Sequence, residues 1–400
     1  MTDRISTGMM YSQSLANIMT RQSTLNDLQS QLALGKKVVS AKDDPIGAGA
    51  AVGLDRTLAE LERFGKNANT VGNRLNLQEN MLAEAGDIMS RANELAIQSN
   101  NGSLTADDRR SIGAELRSLR EQLISIANTT DGSGRYLFAG SADDSAPFSK
   151  IAGGVVYNGD QTQRRVEIAP ETFVLDAVPG SEIFMRVRTG DGTVQALFGG
   201  ANTGTGVLTD FGRSSSGGWN GETYQIVFTA ADSYDVLDAT STVVASGTWT
   251  SGEDIVHGGL RLRIEGQPEI ADTFDIGMAP TRDVFSTLSN LIVALEGDDP
   301  TPAGKAARQN DLQAAMRDVA RASEQMIDTR ASGGAQLAMI DDADGVREAN
   351  DVTIRTTLSE LRDLDYADAI SRYQMETTAL KTAQTVFARM QGMSLFDLLR

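Results

Sequence analysis

Cysteine is absent from this 400-residue chain, and histidine occurs once. The first absence excludes disulfides, thiol nucleophiles and Cys-based zinc sites. It fits a secreted chain that avoids stray disulfides, or chance in an acidic protein. The second leaves any Ser-His-Asp triad to His257, in "DIVHGGLRL", and no G-x-S-x-G elbow accompanies it. A loop or strand-end histidine is the plainer expectation. Long apolar runs are missing too: none reaches the roughly 18 residues that a membrane-spanning helix needs. Positive charge is scarce, 36 Lys and Arg against 54 Asp and Glu, for a net charge of −18. That balance argues against nucleic acid or an anionic membrane as the partner. The stretch "MTDRISTGMMYSQSLAN" lacks a basic region followed by an apolar core, so no Sec-type signal is expected. The chain then stays in the cytoplasm or leaves by a route that removes no signal.

Ligand motifs are equally thin. "GSGRYL" carries Leu137 where a dinucleotide fingerprint needs its third glycine, and no P-loop spacing occurs. "DDADG" at 341–345 lacks the ligand spacing of a calcium loop from Val346 onward and reads as a solvated acidic helix face. No cofactor, metal or catalytic residue is expected. An enzyme with an inserted β domain stays open as an alternative, with His257 as its handle. So does a cytosolic coiled-coil scaffold.

What is present falls into three blocks. The length suits two or three domains, and a hydrophobic content of 40% supports a core of ordinary size. Residues 141–285 hold 20 of the 39 glycines and 13 of the 21 aromatics, with 20 acidic against 9 basic residues. Strand-like runs there ("RRVEIA", "ETFVLDA", "ETYQIVFTA", "TVVASGTW", "LRLRIEG", "TFDIGMA") are separated by turn residues, as in an antiparallel β domain. "GGANTGTGVLTDFGRSSSGGWNG" reads as a long flexible loop.

The flanks are Gly-poor and carry helical periodicity. Leu15, Ile18, Leu25 and Leu32, preceded by Tyr11, make an a/d seam that stops at Leu34-Gly35. Asp44 is an expected N-cap with Pro45 at the first helical position. The stripe Leu54, Leu58, Leu61, Ala68, Val71, Leu75, Leu82, Met89, Ala96 then predicts a helix over 45–98. At 1.5 Å per residue it would be about 80 Å long, a rod that a compact enzyme rarely needs. "SNNGSLTADD" ends it, and Thr105 with Asp108 predicts a capping box for a helix carrying Ile112, Leu116, Leu119, Leu123 and Ile126. After the β block, a short helix ends at Gly297. Leu312, Met316, Val319, Ser323, Met326 and Arg330 then share one face, until "RASGGAQ" is expected to interrupt.

The last stretch places Tyr366, Tyr373, Leu380 and Phe387 seven residues apart, with Ala369, Ala383 and Met390 beside them. Ile370 lies in the same stretch, and "SLFDLLR" ends on Leu395, Phe396, Leu398 and Leu399. Seams at both ends are expected to pair. The alternative is that they are ordinary core faces of a bundle. The fold class is α+β: a long helical, coiled-coil-like bundle built from both chain termini, with an inserted, mainly antiparallel β domain. The expected domains are an N-terminal assembly arm (1–44), two halves of a helical rod (45–140 and 286–360), a β-rich outer domain (141–285) and a C-terminal assembly arm (361–400).

These residues resemble those of the bacterial flagellin family. "GKKVVSAKDDPIGAGAAVGLD" at 35–55 is similar to the family's N-terminal block, "LRDLDYADAISRYQ" at 361–374 to its C-terminal block, and "GSGRYLFAG" at 132–140 to the end of its N-terminal helical region. "RISTGMMYSQSLAN", "RLRIEGQPEIADTFDI" at 261–276 and "SLFDLLR" look more like hook-associated members than filament subunits. The resemblance covers roughly 1–140 and 286–400 and is weaker over the β block. It implies a structural subunit of the flagellum at the junction of hook and filament, the alternative being the filament subunit itself. It also implies export by the flagellar type III channel and assembly with copies of itself, the first hook-associated protein and flagellin. A cytoplasmic chaperone would hold the C-terminal helix before export. The assembly interface expected on this basis comprises Tyr11, Leu15, Ile18, Leu25, Leu32, Tyr366, Ile370, Tyr373, Leu380, Phe387, Met390, Leu395, Phe396, Leu398 and Leu399. In the free chain these stripes would lack cover, and assembly would drive their folding.

Overall fold

The computed structural model describes residues 7–100, 104–215, 217–297 and 300–392. It contains helices α1 (Thr7–Leu34), α2 (Pro45–Ser99), α3 (Ala106–Ala127), α4 (Val284–Glu296), α5 (Pro302–Arg362) and α6 (Tyr366–Gly392), with all the strands between α3 and α4. The chain divides into two compact units, 67–342 and 1–66 with 343–400. No described helix is long and apolar enough to cross a membrane.

In residues 67–342 the helical core forms where the apolar stripes of α2, α3, α4 and α5 meet. Leu82, Met89 and Leu95 of α2 pack with Leu116 and Leu123 of α3, Leu288 and Leu291 of α4, and Val319 and Met326 of α5. The Thr105 hydroxyl accepts from the Asp108 N–H, and the Asp108 carboxylate accepts from the Thr105 N–H, which completes the expected capping box on α3. Asp283 caps α4 by accepting from the Ser286 N–H at 2.7 Å. Phe148, Phe184 and Phe285 stand within 5.5–6.0 Å of one another and join the strand-rich part of the unit to this core.

The "GSGRYLFAG" segment serves that core. Leu137 and Phe138 are buried, and Gly140 turns the chain at φ +70°, where a Cβ would lie 2.5 Å from the Asp160 carbonyl oxygen. Beside it lies a buried ionic knot. The Arg74 guanidinium donates to Asp131 at 2.9 Å and to Asp176 at 3.0 Å, and Arg164 bridges Asp176 and Asp143. Each buried charge has a partner, as a low-dielectric site requires.

Fourteen described strands begin at Phe148, and all of them pair into sheets. Ten of them are β1 (Phe148–Ile151), β2 (Gly154–Tyr157), β3 (Arg165–Ala169), β4 (Thr172–Leu175), β6 (Val194–Phe198), β7 (Val207–Arg213), β8 (Tyr224–Ala230), β9 (Ser233–Leu237), β10 (Val243–Thr248) and β12 (Leu260–Glu265). The others are β5 (Val187–Arg188), β11 (Asp254–His257), β13 (Thr273–Met278) and β14 (Thr281–Arg282). The largest sheet runs β10-β9-β8-β13-β6, and a three-stranded sheet runs β11-β12-β7, all pairs antiparallel. Alternate residues Ile226 and Phe228, Leu260, Leu262 and Ile264, and Phe274 and Ile276 point into one apolar core with Trp249. His257 ends β11, edge-on to the Tyr224 ring at 4.8 Å, as its strand-end setting suggested.

Two expectations are corrected here. The expected flexible loop contains β7, because Leu208 and Phe211 bury into the β core while the Arg317 guanidinium stacks over Phe211 at 4.6 Å. The expected break at "RASGGAQ" does not occur, since α5 runs through it. Gly333 and Gly334 cost about 1 kcal/mol each against alanine. Anchors on both sides of them outweigh that cost. Arg330 pairs with Glu79 at 2.7 Å, Gln336 accepts from the Leu175 N–H at 3.0 Å, and Ile340 is buried.

In the other unit the described secondary-structure elements are helices. Pro45 opens α2 behind Asp44, whose carboxylate accepts from the Gly47 N–H at 2.9 Å. The segment after α1 closes back on the segment before α6: Lys37 N–H donates to the Arg362 carbonyl at 2.7 Å, and Leu364 N–H to the Gly35 carbonyl at 3.1 Å. Gly35 has φ +68°, and a Cβ there would lie 2.7 Å from the Tyr366 hydroxyl. This glycine is therefore needed for both conformation and space.

Candidate assembly interface

Helices α1 and α6 pair antiparallel within the helical unit. The Tyr11 and Phe387 rings meet at 4.8 Å at one end, Arg21 and Glu376 form an ion pair at 2.7 Å in the middle, and the Gly35–Leu364 bond closes the other end. The heptad spacing explains the pairing, since each seam residue returns to the same side every two turns.

The seam is only partly covered. Ile18, Leu25 and Leu32 of α1 and Tyr373, Leu380, Phe387 and Met390 of α6 are half-buried. Tyr11, Leu15, Tyr366 and Ile370 are exposed. Ala369, at 3% exposure, is the one fully buried described residue of α6. Leu395, Phe396, Leu398 and Leu399 lie outside the described residues. An open cleft of about 710 Å³ runs between the helices, bounded by Ser14, Asn17 and Arg21 on one and Met375, Ala379 and Val386 on the other. Small residues such as Ser14, Ala379 and Ala383 line it together with the exposed Met375 and Val386.

The sequence reading missed a second apolar set: Met9, Met10, Met19 and Leu34 on α1, and Met375 and Val386 on α6, all exposed. The heptad rule follows one stripe, and these residues lie off it. Their signal was legible in charge instead. Helices α1 and α6 together carry the acids Asp27, Asp368 and Glu376 against the bases Arg21, Arg372, Lys381 and Arg389, a net of +1 in a chain of −18. Little of the chain's negative charge therefore lies on these two helices.

Beside the closing segment lies a second hollow of about 480 Å³, with Asp43, Asp44, Glu360, Asp363, Asp365 and Asp368 among its lining residues. Asp365 accepts from the N–H groups of Ala367 and Asp368 and so caps α6. The Ser40 N–H holds the Asp43 carboxyl below its ordinary pKa. These carboxylates serve turns and helix ends, and no group of three or more potential metal ligands is assembled among the described residues.

Known proteins resemble this chain. The model of the bacterial flagellin N-terminal helical region matches residues 5–143. A crystal structure of FlgL from Xanthomonas campestris is 58% identical, with a TM-score of 0.73, covering 76% of this chain and 99% of that one. Flagellar hook-associated protein 3 of Escherichia coli K12 is 26% identical over 400 residues, 99% of each chain. The chain belongs to the flagellar hook-associated protein 3 family. A crystal structure of the Legionella pneumophila hook-associated protein 3 aligns with a TM-score of 0.74 at 26% identity, covering 77% of this chain and 98% of that one. Membership of the hook-associated protein 3 family accounts for both the helical flanks and the antiparallel β region between them.

Proposed function

We propose that this chain is a structural subunit of the bacterial flagellum that joins hook to filament. The observation that carries this is the match along nearly the full chain to hook-associated protein 3, including the β region, where the resemblance read from sequence was weakest. The same match favours the junction role over that of filament flagellin. A solved relative from Legionella pneumophila is described as the flagellar junction protein FlgL.

The finer reading assigns the work to the helical arms. Tyr11, Leu15, Ile18, Leu25 and Leu32 on α1, with Tyr366, Ile370, Tyr373, Leu380, Phe387 and Met390 on α6, form the surface that neighbouring subunits complete. Each large side chain that moves from half-exposed to buried would add on the order of 1 kcal/mol, before ordering costs. Its partners are copies of itself, the first hook-associated protein and flagellin. The type III route and a chaperone on α6 belong to the same proposal, as does a purely structural, non-enzymatic role.

The test is an in-frame deletion of the gene, with negative-stain imaging of the cells and a gel of the culture supernatant. Hooks without filaments and flagellin lost to the medium are expected. Loss of the main filament band itself would make the chain the flagellin. Normal filaments would overturn the junction role.

A further inference from the structure

Between strand β6 and helices α4 and α5 lies a cleft of about 240 Å³. Three elements build it by their own periods. Val194 and Ala196 of β6 belong to the β core, so the alternate residues Gln195 and Leu197 face the cleft. Helix α4 brings Asn290, Val293 and Ala294 to it, and α5 brings Asp311, Ala314 and Ala315, each set at the i, i+3, i+4 spacing of one helix face. Leu197 and Val293 give it an apolar side that is 43% and 71% exposed. Its polar groups are uncommitted. Gln195 is 7% exposed, and its side-chain amide has no hydrogen-bond partner among the described residues. Folded chains seldom bury such a group without a use for it. The Asn290 amide and the Asp311 carboxylate also make no hydrogen bond or ion pair with the described residues. Arg282 lines the cleft as well, but its guanidinium donates to the buried Asp318 carboxylate. The uncompensated charge is therefore that of Asp311. Asp311 is exposed as a residue, yet the cleft walls desolvate its carboxyl and raise its pKa above the ordinary 3.8.

We propose that this cleft binds an alkylguanidinium group, the end of an arginine side chain or of a free guanidine on a short alkyl stem. The Asp311 carboxylate accepts from the planar N–H fork, a geometry that suits this pair. Gln195 and Asn290 each offer a side-chain carbonyl oxygen to a further N–H, which gives the buried Gln195 amide a partner. The alkyl stem lies along Leu197 and Val293 and takes their exposed apolar surface from water. An ammonium fits less well, because it is a compact, strongly hydrated charge and loses more on entering the cleft. An anion meets Asp311 and gains little from Arg282, whose charge Asp318 already balances. The cleft lies within residues 67–342, so the site stands whether or not the chain joins hook to filament.

The experiment titrates the full-length purified chain with n-butylguanidinium and, separately, with the peptide acetyl-Gly-Arg-Gly-amide, read by saturation-transfer difference NMR. Saturable transfer to the alkyl protons is expected, with n-butylammonium and pentanoate at least threefold weaker. D311N should weaken binding at least tenfold. A314L fills the cleft and leaves every charge in place, and it should weaken binding as much. Both variants should keep the wild-type urea midpoint, and should one fail to fold, the other decides. A peptide that binds more tightly than butylguanidinium would assign the site to an arginine on a protein chain. One that binds no more tightly would assign it to a free guanidine. No saturable binding of either probe would overturn the proposal. So would folded D311N or A314L protein that binds like wild type, or pentanoate that binds as tightly as butylguanidinium. Each of these results leaves the junction role standing, since that role is read from filaments on cells.

Discussion

In residues 67–342, Leu116, Leu123, Val319 and Phe285 are all removed from water, whereas on α1 and α6 the large seam residues, Leu25 and Leu380 among them, stay half-exposed and only Ala369 among the described residues of α6 is buried. The two regions have similar helical sequences, so composition does not cause the difference. Neighbours do. In the larger unit α2, α3, α4 and α5 contribute apolar residues to one core, together with Phe148 and Val155 of the first strands. A pair of helices can cover only one stripe on each, and α1 and α6 carry more than one. Isolated helices gain most of their stability from such packing. One region therefore covers its apolar stripes, and the other leaves apolar side chains exposed.

The largest single effect should come from the complete region. Phe285→Ala removes a ring that touches Phe148 and Phe184, and should cost about 3–5 kcal/mol in urea unfolding. Leu25→Ala, in the incomplete region, should leave that transition unmoved and yet reduce incorporation into flagella. Equal loss of stability in both variants would erase the distinction.

Acid should be the next sharpest probe. Asp108, Asp160 and Asp238 are held below their ordinary pKa of 3.8 by the hydroxyls of Thr105, Ser141 and Thr240. Burial alone would raise Asp131, but the Ser133 hydroxyl, the N–H groups of Arg135 and Ser133, and the Arg74 charge hold it low. Depressed folded pKa values mean stability that is fully present above the unfolded value of 3.8 and is lost as pH falls below it through the folded values. Asp318, raised by burial, works in the opposite sense and blunts the loss. The urea midpoint of 67–342 should hold steady from neutral pH to about 5 and drop below 3.8. Asp311 is raised by burial as well, so a midpoint that rises on acidification would show that Asp311 and Asp318 together dominate.

Gly35→Ala comes next. A left-handed alanine costs about 1–2 kcal/mol, and its Cβ would press on the Tyr366 hydroxyl. Hydrogen exchange should rise at Lys37 and Leu364 while the β core stays protected. Thr105→Ala removes one half of a capping box and should cost about 1 kcal/mol, read as a small shift of the main transition. Smallest of all, Arg21→Ala breaks an exposed ion pair with Glu376, for roughly 0.2–1 kcal/mol.

The capping box at Thr105, the start of α2 at Pro45, the end of α1 at Gly35 and the heptads of both termini were legible because each is set by neighbours within a few residues. "RASGGAQ" misled because two glycines signal a break locally, while Glu79 and Leu175, distant in sequence, hold α5 together. Strand β7 hid in a Gly-rich stretch because Leu208 and Phe211 have meaning only beside β12 and α5. The candidate interface was half legible: the seam repeats every seven residues, but Met9, Met19 and Met375 follow no heptad.

By itself the sequence determined where helices begin, which stripe each one buries first, that thiol chemistry is impossible, and the family to which the motifs belong. Those properties depend on spacing and side-chain type, which are fixed along the chain. Tertiary structure alone decided which stripes find enough cover and which remain open. Burial is a property of surfaces brought together, and the energy that keeps α5 whole, or leaves α1 exposed, comes from residues hundreds of positions away.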